Sequence, residues 1–373
     1  MLRRLALPSV VAASLVVVLL WQVAPRAADQ PFGWSRFDQY VESLRTQARI
    51  PGLSAVIVKD REVVWDRGFG FQDVEGLVRA TSDTPYHVVG LTQIVSAALL
   101  LDCVEHGRIT LDTPARTYAP DAFPDASVTL AHLLTHSSNS EPPGSAFQFD
   151  LPRFAALTPA IERCWSRRAF REVVKTEVLD RLAMFDSVPG ADVLDPEVLE
   201  QLPEETYDQD RLDTYAAVLA RLTTPYKTEK PKPAAVEYPS RSFDAASGLV
   251  TTVRDMAKFD AALDESILLE PDTREAMWTA PMPVAPPNLP GTGAVLPTPH
   301  AMGWFVQTYS GQKIVWQFGQ WPGVTSSLIM KVPEKNLTVI VMANGDGLAP
   351  NGSLETGDVT LSLFARLFLK YFV

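Results

Sequence analysis

The sequence predicts an α+β protein of two lobes: one antiparallel sheet built from both chain ends, flanked by terminal helices, with a helical lobe inserted between them. Three observations predict it. Runs of β-type residues lie near both termini, at 53–71 and 302–344. Between them the chain changes to helix patterns and loops. The stretch Ile94 to Val104 is apolar nearly all round, as in a helix covered on every side. The sheet lobe then takes residues 34–72 and 300–373, and the helical lobe residues 73–299, within one domain of residues 29–373.

Phe37, Val41 and Leu44, with charges between them, make an amphipathic helix of Trp34 to Gln47, ended by Pro51-Gly52. Leu53–Val58 and Glu62–Phe71 follow as strands, joined by a turn at Lys59-Asp60-Arg61. A short extended approach from Tyr86 leads into the central helix, which Gly107 stops. The helix opens at Gly90-Leu91-Thr92-Gln93, where free N–H donors suit a ligand or a nucleophile. Leu130–Thr135 is a short helix capped by Thr129. Phe154–Cys164, Ala169–Leu182 and Asp255–Leu263 are three more. Thr223 to Pro239 carries Lys227, Lys230 and Lys232 among prolines and reads as a solvated loop, not a basic patch. Pro281 to Pro299 holds seven prolines and is irregular, since proline breaks helix and sheet alike. Met302–Thr308, Lys313–Phe318, Ser326–Val332 and Leu337–Asn344 are spaced as a meander, and Asp358–Tyr371 is a closing amphipathic helix.

A net charge of −11 argues against nucleic acid as a partner, because phosphate binding needs basic clusters. The N-terminus reads as a targeting segment over residues 1–28: Arg3 and Arg4, then an uncharged apolar run from Leu5 to Val23. Its length suits either a cleaved signal peptide or an uncleaved membrane anchor. Either one exports the domain to the periplasm or the outer face of a membrane, and an anchor would be its sole membrane contact. Cys103 and Cys164 read as two buried thiols, since a single pair makes no disulfide framework. The five histidines, His87, His106, His132, His136 and His300, show no metal-ligand spacing, and neither metal nor cofactor is expected.

Four segments carry a resemblance. They are Ile109-Thr110-Leu111-Asp112-Thr113-Pro114, the run Val128 to Ser138, the run Leu179 to Ser187, and Ser247 to Asp255. In this order and at these spacings they resemble the β-lactamase-related serine hydrolases: class C β-lactamases, DD-peptidases and related esterases. The resemblance covers residues 34–370. It implies three catalytic groups around a cleft between the lobes. One is Ser-x-x-Lys at the start of the central helix, where the two side chains share a face and the amine activates the hydroxyl. The second is Tyr-x-Asn on a loop of the helical lobe. The third is a Lys/His-x-Gly triplet on a strand edge, with a backbone N–H completing an oxyanion hole.

The matching positions lack that chemistry. Tyr86 to Gln93 matches the first motif, with Gly90 at the nucleophile and Gln93 at the base. Glycine has nothing to attack with, and an amide does not take up a proton near neutral pH. Phe149, in Phe149-Asp150-Leu151, matches the tyrosine without its hydroxyl. Gln317-Phe318-Gly319 matches the third triplet, keeping the glycine and losing the cation, and Gln320 and Trp321 follow as further cleft candidates. The one Ser-x-x-Lys in the chain, Ser310 to Lys313, falls in a hairpin turn. Thr92 should point away from the cleft, Ser96 should be buried, and His87 lacks a nucleophile to serve. These losses predict a pseudoenzyme that binds a peptide, cell-wall fragment or other acyl compound, with extra room above Gly90. Two alternatives stand beside it: an active hydrolase with an unrecognised nucleophile, and an exported scaffold with a vestigial cleft.

Overall fold

The computed structural model describes residues 32–228, 232–279 and 300–373. The targeting segment at 1–28, Lys230 and the proline loop from Pro281 to Pro299 lie outside the described residues. The chain divides into two units, Met1–Gln39 and Tyr40–Val373. The described part of the first is the opening of the helix Phe32–Gln47; the second holds everything that follows. No helix among the described residues is long and apolar enough to cross a membrane.

The second unit is built on a seven-stranded antiparallel sheet. Its strand order is Val78–Arg79, Glu62–Asp73, Gly52–Lys59, Leu337–Ala343, Thr325–Val332, Gln312–Trp321, Phe305–Tyr309. The two chain ends meet in its middle, where Leu53 faces Ala343 and Lys59 faces Leu337. That pairing explains the unbroken apolar run Leu53–Val58: a central strand covered on both faces has no polar side to show. Helix Val253–Asp264 lies across these two strands. From the neighbouring strand the buried Lys331 reaches back to Asp260 at 2.9 Å and Asp264 at 2.6 Å. The closing helix is shorter than its sequence pattern suggests, Leu363–Phe372, because Ser362 caps it by accepting the N–H of Ala365.

In the helical lobe the central helix runs Thr92–Glu105 and is buried along nearly its whole length. Gly107 ends it in the left-handed region at φ 66°. The expected helix at 154–164 is two, Leu151–Ala155 and Thr158–Cys164, because Pro159 starts a new first turn. The expected helix at 169–182 is Phe170–Val174 continued by a π-helical turn, Lys175–Asp180. Helices Gln209–Leu219 and Pro271–Met277 were not expected, although Asp208 caps the first and Pro271 opens the second. The reading of Cys103 and Cys164 as thiols is corrected: they form a disulfide, with Cα atoms 6.2 Å apart. The central helix packs on Thr158–Cys164, and this contact, which sequence spacing does not encode, brings the two sulfurs together.

Candidate functional site

Three backbone elements converge around Gly90. A small sheet, in which Tyr86 pairs with Thr251 and His87 with Val250, holds the approach to the central helix. A 3-10 turn, Val89–Leu91, then delivers Gly90 to the helix start. Val89 is left-handed at φ 46°. A β-branched residue adopts that conformation at a cost of about 1–3 kcal/mol, so the turn is imposed by its surroundings. Strand Gln312–Trp321 passes directly over the turn. Its partner Phe305–Tyr309 pairs with it only as far as Phe305 opposite Trp316, so the strand beyond Trp316 presents its edge to Gly90.

The fit there is main chain against main chain. A β-carbon on Gly90 would lie 2.4 Å from the carbonyl oxygen of Phe318. One on Gly319 would lie 2.1 Å from the carbonyl oxygen of Val88 and 2.7 Å from the nitrogen of Gly90. Both glycines are therefore required by close approach. The expectation of extra room above Gly90 is corrected: Gly90 is buried, and the strand occupies the space where its side chain would project.

Beside this contact the polar positions form one buried network. Gln93 and Gln317 are both fully buried. The Oε1 of Gln93 accepts from Gln317 Nε2 at 3.2 Å and lies 3.0 Å from His136 Nε2. His136 Nδ1 accepts the backbone N–H of Asp150 at 3.0 Å, so the ring proton sits on Nε2 and points to Gln93. Gln317 Nε2 also donates to the Gly303 carbonyl at 2.9 Å, and its Oε1 caps the edge N–H of Phe318 at 2.8 Å. Burial holds the imidazole of His136 down to a pKa of about 3. The neighbouring His300 is lowered well below its ordinary value by burial and by His136. The network is thus neutral throughout, and the Gln93 carbonyl is already engaged by two donors. The Nε2 of Gln93 has no hydrogen-bond partner among the described residues.

Phe149 joins the same cluster. Its ring centre is 4.6 Å from that of His136 and 5.1 Å from that of Phe318. Asp150, next to it, caps helix Leu151–Ala155 and accepts from Asn139. Gln320 is not brought to this place: its amide bonds to the backbone at Asp346, Ala349 and Gly352. Trp321 packs its ring 4.2 Å from that of His87, with Tyr238 stacked on the same histidine at 5.5 Å. His87 accepts from the N–H of Val89 at 3.3 Å and is held neutral by burial, with a pKa of about 3. Thr92 turns its hydroxyl away, where it accepts the N–H of Leu249, and Ser96 is buried.

Two members of the site escaped sequence reasoning. His136 lies in a recognised motif segment, Val128 to Ser138, but nothing local says that it reaches Gln93. Ser327, on the strand beside Gly319, donates to the carbonyl of Val88 at 2.7 Å and ties the sheet to the turn. A third grouping, Asp102, Glu105 and His106 at the far end of the central helix, brings possible metal-ligating atoms within 4.8 Å of one another. Glu105 there is already engaged by the N–H of Glu270 and the hydroxyl of Thr273.

Comparison with known proteins agrees with this fold. Among solved structures, the octameric penicillin-binding protein homologue from Pyrococcus abyssi superposes with a TM-score of 0.69 at 21% identity, over 90% of this chain and 77% of that one. The penicillin-binding protein from Bacillus halodurans gives a TM-score of 0.63 at 19% identity, over 84% and 97%. In sequence, Protein flp of Staphylococcus aureus strain N315 is 27% identical over 108 residues, 28% of this chain and 22% of that protein. Esterase EstB of Burkholderia gladioli is 29% identical over 110 residues, 28% of each. The matches therefore span under a third of these relatives' lengths. The beta-lactamase family pattern, however, matches residues 37–361, and on that extent the chain belongs to the beta-lactamase family.

Proposed function

We propose that this chain is a non-catalytic member of its family, exported, that binds a peptide, cell-wall fragment or acyl compound without forming a covalent bond to it. One observation carries the non-covalent part of the proposal: the Phe318 carbonyl stands 2.4 Å from where a side chain on Gly90 would begin. The nucleophile position is therefore both empty of chemistry and closed by backbone. The neutral Gln93–His136–Gln317 network supports the same reading, since no group in it takes up a proton near neutral pH. Export is supported by the Cys103–Cys164 disulfide, which oxidising compartments form and keep.

The test is incubation of the full-length protein with a fluorescent penicillin and with a fluorophosphonate, followed by intact mass. We expect no adduct. A stoichiometric adduct on any residue would refute the proposal, and Ser327 would be the first hydroxyl to map. The complete burial of Gln93 and Gln317 favours a second reading, a scaffold whose cleft takes no small ligand. Melting shifts across peptidoglycan fragments and β-lactams separate the two, because a ligand that binds only the folded state raises its stability.

A further inference from the structure

Away from the Gly90 turn, a cavity of about 600 Å³ opens between the π-helical turn and helix Gln209–Leu219. Lys175, Arg211, Phe185, Glu205 and Asp210 are among the residues that line it. The π turn creates its floor. In a regular α-helix residues five apart point about 140° away from each other, whereas the wider π turn stacks them. Lys175 and Asp180 therefore meet, with Nζ 2.6 Å from Oδ2. Arg211 approaches the other oxygen of the same carboxylate at 2.9 Å. Two cations thus share one anion at the floor, and Asp208 joins Glu205 and Asp210 among the acidic residues that line the cavity. The Lys175 side chain is only 7% exposed, and an ammonium has three donors, of which Asp180 takes one.

Behind the floor lie two tyrosines. Lys175 Nζ is 5.7 Å from the Tyr207 ring centre, and the Arg211 guanidinium is 5.8 Å from that of Tyr215. Both hydroxyls are buried and have no hydrogen-bond partner among the described residues. Burial raises both phenols, which keeps them protonated as donors. The opposite sign stands at the rim, where Glu205 and Asp210 are exposed. Phe185 adds an apolar wall, 54% exposed, with Arg211 5.9 Å from its ring centre.

We infer that this cavity binds a free α-amino acid with an apolar side chain: its carboxylate on Lys175 and Arg211, its ammonium at Glu205 and Asp210, its side chain on Phe185. The volume suits a small molecule, and a charge pair of this polarity rejects ligands carrying only one of the two groups. The inference is independent of the reading of the Gly90 site.

The test is calorimetric titration of the full-length protein with L- and D-phenylalanine, phenethylamine and 3-phenylpropanoate. At least one phenylalanine enantiomer should bind, and each analogue lacking one charge should bind about tenfold more weakly or worse. Lys175→Met removes the buried partner of a part-buried ion pair and endangers the fold. Arg211→Gln and Phe185→Ala, at more exposed side chains, therefore carry the mutational arm. Each should weaken binding about tenfold while leaving a cooperative thermal transition. The inference is overturned if neither enantiomer binds at about 1 mM, if 3-phenylpropanoate binds as well as phenylalanine, or if neither variant changes the affinity.

Discussion

A β-carbon placed on Gly90 would meet the carbonyl oxygen of Phe318 at 2.4 Å, a distance that real β-carbons essentially never show. The obstacle is main chain, not a side chain that can swing away. Gly90→Ala and Gly90→Ser should therefore each destabilise the protein by about 1–3 kcal/mol, as overpacking does. Urea unfolding measures this, and an unchanged midpoint would contradict it. The same contact bears on placing a nucleophile at this position. A variant combining Gly90→Ser, Gln93→Lys, Phe149→Tyr and Gln317→His should gain no acylation by a fluorescent penicillin, because the new hydroxyl would have to displace a strand first.

The Gln93 carbonyl accepts from two neighbours, so its loss should strand the His136 donor and leave Gln317 Nε2 with the Gly303 carbonyl alone. Gln93→Leu leaves the His136 Nε2–H without its acceptor and removes one of the two from Gln317 Nε2. A buried donor without an acceptor costs about 1–3 kcal/mol. Gln317→Leu should cost a similar amount, and the double variant should cost less than the sum, because both act on one network. Additive losses in a double-mutant cycle would show that the two amides do not work together.

Acid should destabilise the fold before it reaches the usual carboxylate range. Burial keeps His87 and His136 neutral down to about pH 3 and lowers His300 well below its ordinary value. In the unfolded chain each takes up a proton near pH 6.5. Their contribution is therefore complete above about pH 6.5 and is lost as pH falls toward 3, at about 1.4 kcal/mol per pH unit for each histidine. Asp102, Asp244 and Asp255, raised by burial, act in the opposite sense and soften the loss at the acid end. Urea unfolding at pH 7 and pH 5 should show the lower stability at pH 5; equal or higher stability there would sink this account.

Reduction should be costly. The Cys103–Cys164 bond closes a stretch with a sequence separation of 61 residues. Restricting the unfolded chain over such a loop is worth about 4 kcal/mol in the entropic treatment, with typical measured values of about 2–4. Thermal melts of the paired Cys103→Ala, Cys164→Ala variant should shift down accordingly. A melt that did not move would mean that packing between the two helices suffices alone.

What could be read from the chain was what repeats locally. The alternation and apolar runs at both ends gave the sheet, since a strand buried on both faces is written directly in its residues. The central helix was legible for the same reason. Gly90, Gln93, Phe149 and Gln317 could be singled out because each lies in a segment of recognisable order, and the structure brings them together. Helix Gln209–Leu219 was readable and passed over: Leu212, Tyr215, Val218 and Leu219 mark one face behind the cap at Asp208. The disulfide, the reach of His136 to Gln93 and the Gly90–Phe318 contact join distant parts of the chain. The π turn at Lys175–Asp180 has no signature in periodicity.

The seal over Gly90 also sets a clock. A side chain blocking a site would move aside within nanoseconds, but the Phe318 carbonyl belongs to a strand hydrogen-bonded into the seven-stranded sheet. Opening that place means shifting Gln312–Trp321 as a body, a motion of the microsecond-to-millisecond class. Anything admitted there would arrive at a rate that saturates with its concentration, because the protein's own opening is the slow step.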